Sequence, residues 1–226
     1  MSETQTTAPP PSVPLRYLLG VPKTWWNFDL DPSTRDASIG RRFRAGLKGA
    51  DVDPSVADRM VRAGRKAARE AHARGALQLS GILEVLGGGT TLIATTMVLR
   101  LSPPPEAAPD LSQLMTSYAV HTARNPLARA AGGSVGKAEF IELPHAGQAG
   151  RVTYLEDVDF YGKNWARMAI MQTVVPVPGT DDFLIIASST PCLAFTDEFF
   201  GVFDAISGTL RFEFEKEPTV PMVRDL

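Results

Sequence analysis

The chain has 226 residues, 44% of them hydrophobic and 21% charged, with a formal net charge of -2. Those values support one large domain with a sizeable core and exclude a chain too polar to fold. The near-neutral balance excludes a global electrostatic drive toward nucleic acid or membrane, and the single cysteine, Cys192, excludes an intrachain disulfide.

Residues 1–14 are polar and rich in proline, which reads as a disordered tail. They lack the basic start and apolar run of a secretory leader, and no stretch approaches the ~18–20 apolar residues of a membrane span. The expected location is therefore cytoplasmic. Order is expected from Leu15, giving a single α+β domain over 15–212 and a flexible charged tail over 213–226.

Arg16 to Leu19 reads as a short first strand, and Val21 to Phe28 as an extended aromatic segment. Asp31 and Ser33 are cap candidates for a first helix whose apolar stripe is Ile39, Phe43 and Leu47, with Gly49 as its stop. Asp53-Pro54 starts a second helix that runs to Arg74, with Gly75 just beyond it. Its inner face is Ala57, Met60, Val61, Gly64, Ala68 and Ala71, small enough to lie close to a neighbouring layer. The period then changes to two. Ala76 to Val85 and Thr91 to Leu101 flank Gly87-Gly88-Gly89 and predict an antiparallel hairpin. After a proline-rich linker, Leu111, Leu114, Met115 and Tyr118 share one face of a short helix. Strands are expected over Lys137–Leu143, Gly150–Val158, Trp165–Pro176 and Asp182–Ser189. A last helix starts at Thr196-Asp197-Glu198, buries Phe199, Val202, Phe203 and Ile206, and ends at Gly208. Consecutive strands joined by short turns imply an antiparallel sheet with helices packed on it, and the missing βαβ alternation excludes a doubly wound fold.

Charge is unevenly distributed. Arg35 to Arg74 holds eleven Lys/Arg against five Asp/Glu, whereas Ala138 to Leu226 holds six against fourteen. The densest basic set is Arg41, Arg42, Arg44, Arg59, Arg62, Arg65, Lys66 and Arg69. Trp25 and Trp26 precede it, and in an extended segment their rings point to opposite faces, one to the interior and the other at least partly toward solvent, with core packing of both under the following helices as the alternative. Trp25, Trp26, Arg41, Arg62, Lys66 and Arg69 are the candidate binding residues. Such a face suits an acidic protein, or the acidic half of a second copy. Nucleic acid is disfavoured because no nucleic-acid motif accompanies the charge.

No catalytic or metal constellation emerges. The glycine run lacks the lysine and helix start of a phosphate loop. His72, His121 and His145 are separated by 49 and 24 residues, without metal-ligand spacing. Cys192 sits among apolar neighbours and reads as an inert thiol. Asp29-Leu30-Asp31 and Glu156-Asp157-Val158-Asp159 read as a helix cap and a solvated strand end, not a cation loop. No cofactor is expected.

The ending Phe183 to Pro191, Asp197 to Gly208, then Thr209-Leu210-Arg211-Phe212 is a strand, a Ser/Thr turn and a helix of the form F-x-x-x-F-x-x-I closing on T-L-R-F. It resembles the end of the Mog1/PsbP-like α/β/α sandwich proteins, and the actinobacterial LpqN-type proteins are similar. The resemblance implies a binding or accessory role without catalysis. The chain departs from that pattern in two long helices before the hairpin and in lacking the lipoprotein signal of LpqN-type members. The leading expectation is a non-enzymatic protein-binding or accessory protein, and a composition rich in Ala, Arg, Gly and Pro together with the LpqN-like ending suits an accessory role in an actinobacterial secretion or toxin cluster. Tyr118, Tyr154 and Tyr161 lack an acid four residues on, so no Tyr-x-x-x-Asp/Glu export signal marks a secreted substrate. The alternatives are a small-molecule binder or enzyme with a site between sheet and helices, and nucleic-acid binding through the basic helices.

Overall fold

Strong period-two patterning from residue 76 builds a sheet, and helices before, between and after these strands cover it. The structure is a computed structural model that describes residues 13–47, 53–85, 91–104, 106, 109–124, 136–160 and 164–215. The strands are β1 (Arg16–Leu18), β2 (Trp26–Asn27), β3 (Ala76–Val85), β4 (Thr91–Leu101), β5 (Lys137–Leu143), β6 (Gly147–Phe160), β7 (Asn164–Pro176), β8 (Phe183–Thr190) and β9 (Arg211–Glu213). The helices are α1 (Arg35–Gly46), α2 (Pro54–Ala73), α3 (Leu111–Arg124) and α4 (Thr196–Gly208). Seven strands form one sheet in the order β2-β3-β4-β8-β7-β6-β5, and β1 pairs with β9 beside it. Every pairing is antiparallel. This is an α+β sandwich, as the sequence implies.

Helix boundaries follow local chemistry. The Asp53 carboxylate accepts the Ser55 N–H at 2.8 Å, Pro54 occupies the first turn, and Gly75 leaves α2 at φ 77. Asp31 and Ser33, by contrast, precede the cap position of α1, which is Thr34. The Asp31 carboxylate is already occupied by the Ser33 N–H and hydroxyl, at 2.8 and 2.6 Å. At α4 the cap position is Phe195, reached through a short 3-10 turn at Leu193–Phe195. The Thr196 hydroxyl donates backwards to the Leu193 carbonyl at 2.8 Å. β6 begins at Gly147, three residues before the expected start, because Gly147 takes φ 77 and lets Gln148 and Ala149 pair with Glu142 and Ile141. Gly49, the glycine run 87–89 and Tyr161-Gly162-Lys163 lie outside the described residues.

Alternation along the strands divides the core into two layers. On one side α4 sets Phe199, Phe200, Phe203 and Ile206 over Ala94, Ala169, Met171 and Trp25. Phe200 is buried and Val202 only half-buried, so the helix is rotated from the expected stripe. The same layer continues through Leu210, Val98, Val175, Leu184 and Ile186, with Tyr17 and Phe212 from the β1–β9 ribbon. On the other side there are two clusters. α1 and α2 pack Ile39, Phe43, Val61, Ala68 and Ala71 over Leu79 at the β3 end, and α3 packs Leu111 and Met115 over Val152, Tyr154 and Val174 at the β6 end. Two pairs of hydroxyls bond in the centre, Thr96 with Ser188 at 2.8 Å and Thr173 with Ser207 at 3.2 Å. Among the described residues no helix is long and apolar enough to cross a membrane.

Candidate interaction face

Helices α1 and α2 lie against each other because Gly64 leaves room for the Phe43 ring. A Cβ at Gly64 would stand 2.6 Å from Phe43 Cε2 and 3.3 Å from Ile39 Cγ2. The polar seam beside this contact centres on Asp36. Its backbone carbonyl accepts from Arg65 Nε at 2.8 Å, and its carboxylate accepts from Arg69 Nη1 at 2.7 Å and from Arg35 Nε at 3.3 Å. Lys66 Nζ is 3.4 Å from Glu70 Oε1 one turn on. Arg59 donates to the Ser55 hydroxyl at 3.1 Å.

The basic set therefore divides in two. Arg65 and Arg69 tie α2 to α1 through Asp36, and Lys66 has a partner on its own helix. Arg41, Arg42, Arg44 and Arg62 are exposed and make no hydrogen bond or ion pair among the described residues. These four guanidinium groups give the helix pair a positive surface without an ion partner among the described residues. Always charged and able to donate in a planar fork, they suit carboxylates.

The two tryptophans part as alternation requires. Trp25 is 7% exposed and meets Phe203 edge-on with ring centroids 6.3 Å apart, in the α4 layer. Trp26 is half-buried on the opposite side, 5.4 Å from the Phe43 ring and close to Gly46 at the end of α1. Of the pair, Trp26 borders the basic helices, while Trp25 belongs to the interior.

The remaining candidates have structural roles. The Asp29 carboxylate accepts the Asp31 N–H, and that of Asp31 lies below its ordinary range because the Ser33 hydroxyl and then the Ser33 N–H donate to it. Asp157 is also held low, first by the hydrogen bond from Arg167 on the neighbouring strand. The half-buried Cys192 thiol accepts the Ile93 N–H at 3.4 Å and donates to the Thr91 carbonyl at 3.4 Å, which fastens the 3-10 turn to β4. His72 and His145 are exposed and apart, and no group of three metal-ligating side chains gathers among the described residues. Trp165, which no sequence pattern singles out, is 70% exposed on the part of β7 that reaches beyond β8. That β5 lies at the outer edge of the sheet is likewise set by strand order and not by any local pattern.

Fold and face together define a three-layer α+β sandwich carrying a basic helix pair. No family model matches the chain, and no curated protein matches it. Among solved structures it is similar to LpqN of Mycobacterium tuberculosis, described as involved in cell envelope biogenesis. The match covers 87% of this chain and 83% of that one at 11% identity, with a TM-score of 0.42. That likeness is distant and assigns no function.

Proposed function

We propose that this chain is a non-enzymatic protein-binding or accessory protein that docks an acidic partner on the α1–α2 face. The observation that carries this reading is the exposure of Arg41, Arg42, Arg44 and Arg62 on one helix pair without a partner among the described residues. Charges of this kind stabilise by little within the fold, whereas across an interface they steer encounter and select the partner's sign. A cytoplasmic setting, an association with a bacterial secretion or toxin cluster, and kinship with the Mog1/PsbP-like sandwiches belong to the same proposal. They rest on the composition and on the strand–helix ending from Phe183 to Phe212.

The test is affinity capture from the native host at low and moderate salt, comparing the wild-type chain with Arg62→Glu/Lys66→Glu. Recovery of a stoichiometric acidic protein that the double variant loses, with both chains equally folded, is the expected result. A partner retained undiminished by the variant would remove the α1–α2 face from the proposal. A nucleic acid recovered in its place, with affinity falling steeply as salt rises, would replace the protein partner.

A further inference from the structure

Helix α4 buries one side in the core and leaves the other to solvent. The outer side carries Asp197, Glu198, Gly201, Asp204 and Ala205, all exposed, and the helix has no lysine or arginine. Gly201 stands three or four residues from each of the others, so they surround it on the helix surface. A Cβ added at Gly201 would meet nothing within 4 Å. The outcome is a shallow hole ringed by three carboxylates and a methyl group. Arg151 of β6 donates to one of the three, Asp204, which leaves an excess of negative charge. The 3-10 turn leading into α4 adds exposed apolar surface at Leu193 and Phe195. Helix α1 has the opposite sign. Ala37, Arg41, Arg42, Arg44 and Ala45 are exposed along it, and its last turn lies beside the half-buried Trp26. The two helices are on opposite sides of the sheet and cannot meet within one chain.

We propose that the acidic partner of the α1–α2 face is the outer side of α4 in a second copy of this chain. The inference rests on the reading of α1–α2 as a docking face given above, and charge complementarity between the two helices carries it. Laid antiparallel, they bring Trp26 beside Leu193 and Phe195. The same alignment sets Arg44 beside Glu198 and, three residues on along each helix, Arg41 over Gly201. The glycine and the two alanines let the backbones approach, so each guanidinium reaches a carboxylate while its stem covers apolar surface. Antiparallel packing also opposes the two helix dipoles. The contact is heterologous: every copy offers α1–α2 on one side of its sheet and α4 on the other. Both are open at once, so copies add head to tail and do not close as a two-fold pair.

Sedimentation velocity of the full chain tests this. At low salt the weight-average mass is expected to rise with concentration past that of a dimer, and to fall back as salt screens the pairs. Arg41→Glu/Arg44→Glu reverses the basic helix, and Gly201→Trp fills the hole on α4 at a position that touches no core residue. Each should weaken association about tenfold or more, with circular dichroism confirming that both variants are folded. An equal mixture of the two should form a 1:1 dimer and stop there, because only the α4 face of the first and the α1 face of the second remain intact. Three results would overturn the inference. They are a wild-type chain still monomeric at about 1 mM, a wild-type mass that levels off at two copies, and a mixture that stays monomeric. Wild-type association in Arg41→Glu/Arg44→Glu would overturn it and remove the α1–α2 face as a docking site as well. A monomeric wild type that instead captures an acidic protein of another sequence, lost in Arg62→Glu/Lys66→Glu, would overturn this inference alone and leave that face in place.

Discussion

The two faces of the seven-stranded sheet are covered in different ways. One carries a continuous layer, in which α4 and the β1–β9 ribbon bury Phe203, Ile206, Leu210, Val98 and Val175 almost completely. The other carries α1–α2 at one end and α3 at the other, each over its own cluster, and the strand positions between them, such as Thr95, Ala187 and Gln172, are half-buried. The first face holds the chain together. The second leaves helices and seams accessible, and the proposed docking face is on its α1–α2 pair.

This contrast makes a steep prediction for the continuous face. Phe203 is fully buried and meets the rings of Trp25, Phe199 and Phe200. Phe203→Ala should cost about 3–5 kcal/mol, read from urea unfolding, because the surrounding rings cannot all collapse into the cavity. A loss below about 1 kcal/mol would mean that this layer is not the stabilising one.

Two glycines sharpen the comparison. Gly64 is under the Phe43 ring, so Gly64→Ala gains helix propensity but forces a buried aromatic to move, for a net loss of about 1–2 kcal/mol. Gly201, on the outer side of α4, has nothing within 4 Å of an added Cβ. Gly201→Ala should therefore stabilise by about 1 kcal/mol, through propensity alone. Equal signs for the two substitutions in the same denaturation series would break the assignment of α1–α2 packing.

The last effect emerges only at alkaline pH. Burial first, then the negative charge of Glu156, holds the Tyr154 phenol protonated well above its usual value of 10.0. Burial raises Tyr118 of the same cluster, and Tyr17 in the other layer, as well. Below the ordinary phenol range both folded and unfolded chains keep these protons, and stability does not respond. Above it the unfolded chain releases them first, so stability falls as pH rises, by at most about 1.4 kcal/mol per pH unit for Tyr154 and by less for the more exposed Tyr118 and Tyr17. Tyr154→Phe should flatten the alkaline limb of a urea-midpoint series. An unchanged limb would show that the phenol is solvated and the α3 cluster open.

The sequence showed what is local. Asp53-Pro54 and Gly75 framed α2, period-two patterning located the long strands, and adjacency in an extended segment separated Trp25 from Trp26. It did not show what is set by distant partners. The placement of β8 between β4 and β7 depends on pairings such as Thr96 with Ser188, which no spacing reveals. The rotation of α4 that buries Phe200 follows from packing against Trp25 and Met171, again a long-range contact. The basic helices were legible as charge, but which arginines stay unpaired depends on Asp36. Strand β5 was legible as a strand, yet nothing in its own residues says that it ends the sheet.

The β1–β9 ribbon has a mechanical consequence. Arg16 faces Glu213 and Leu18 faces Arg211, so both chain ends leave from the same end of an antiparallel pair. Tension applied through them loads the hydrogen bonds one after another, as in opening a zipper, and not all together in shear. The ribbon should yield at low force and act as a fuse. Traction on either end would peel off three residue pairs before it reached the seven strands behind them.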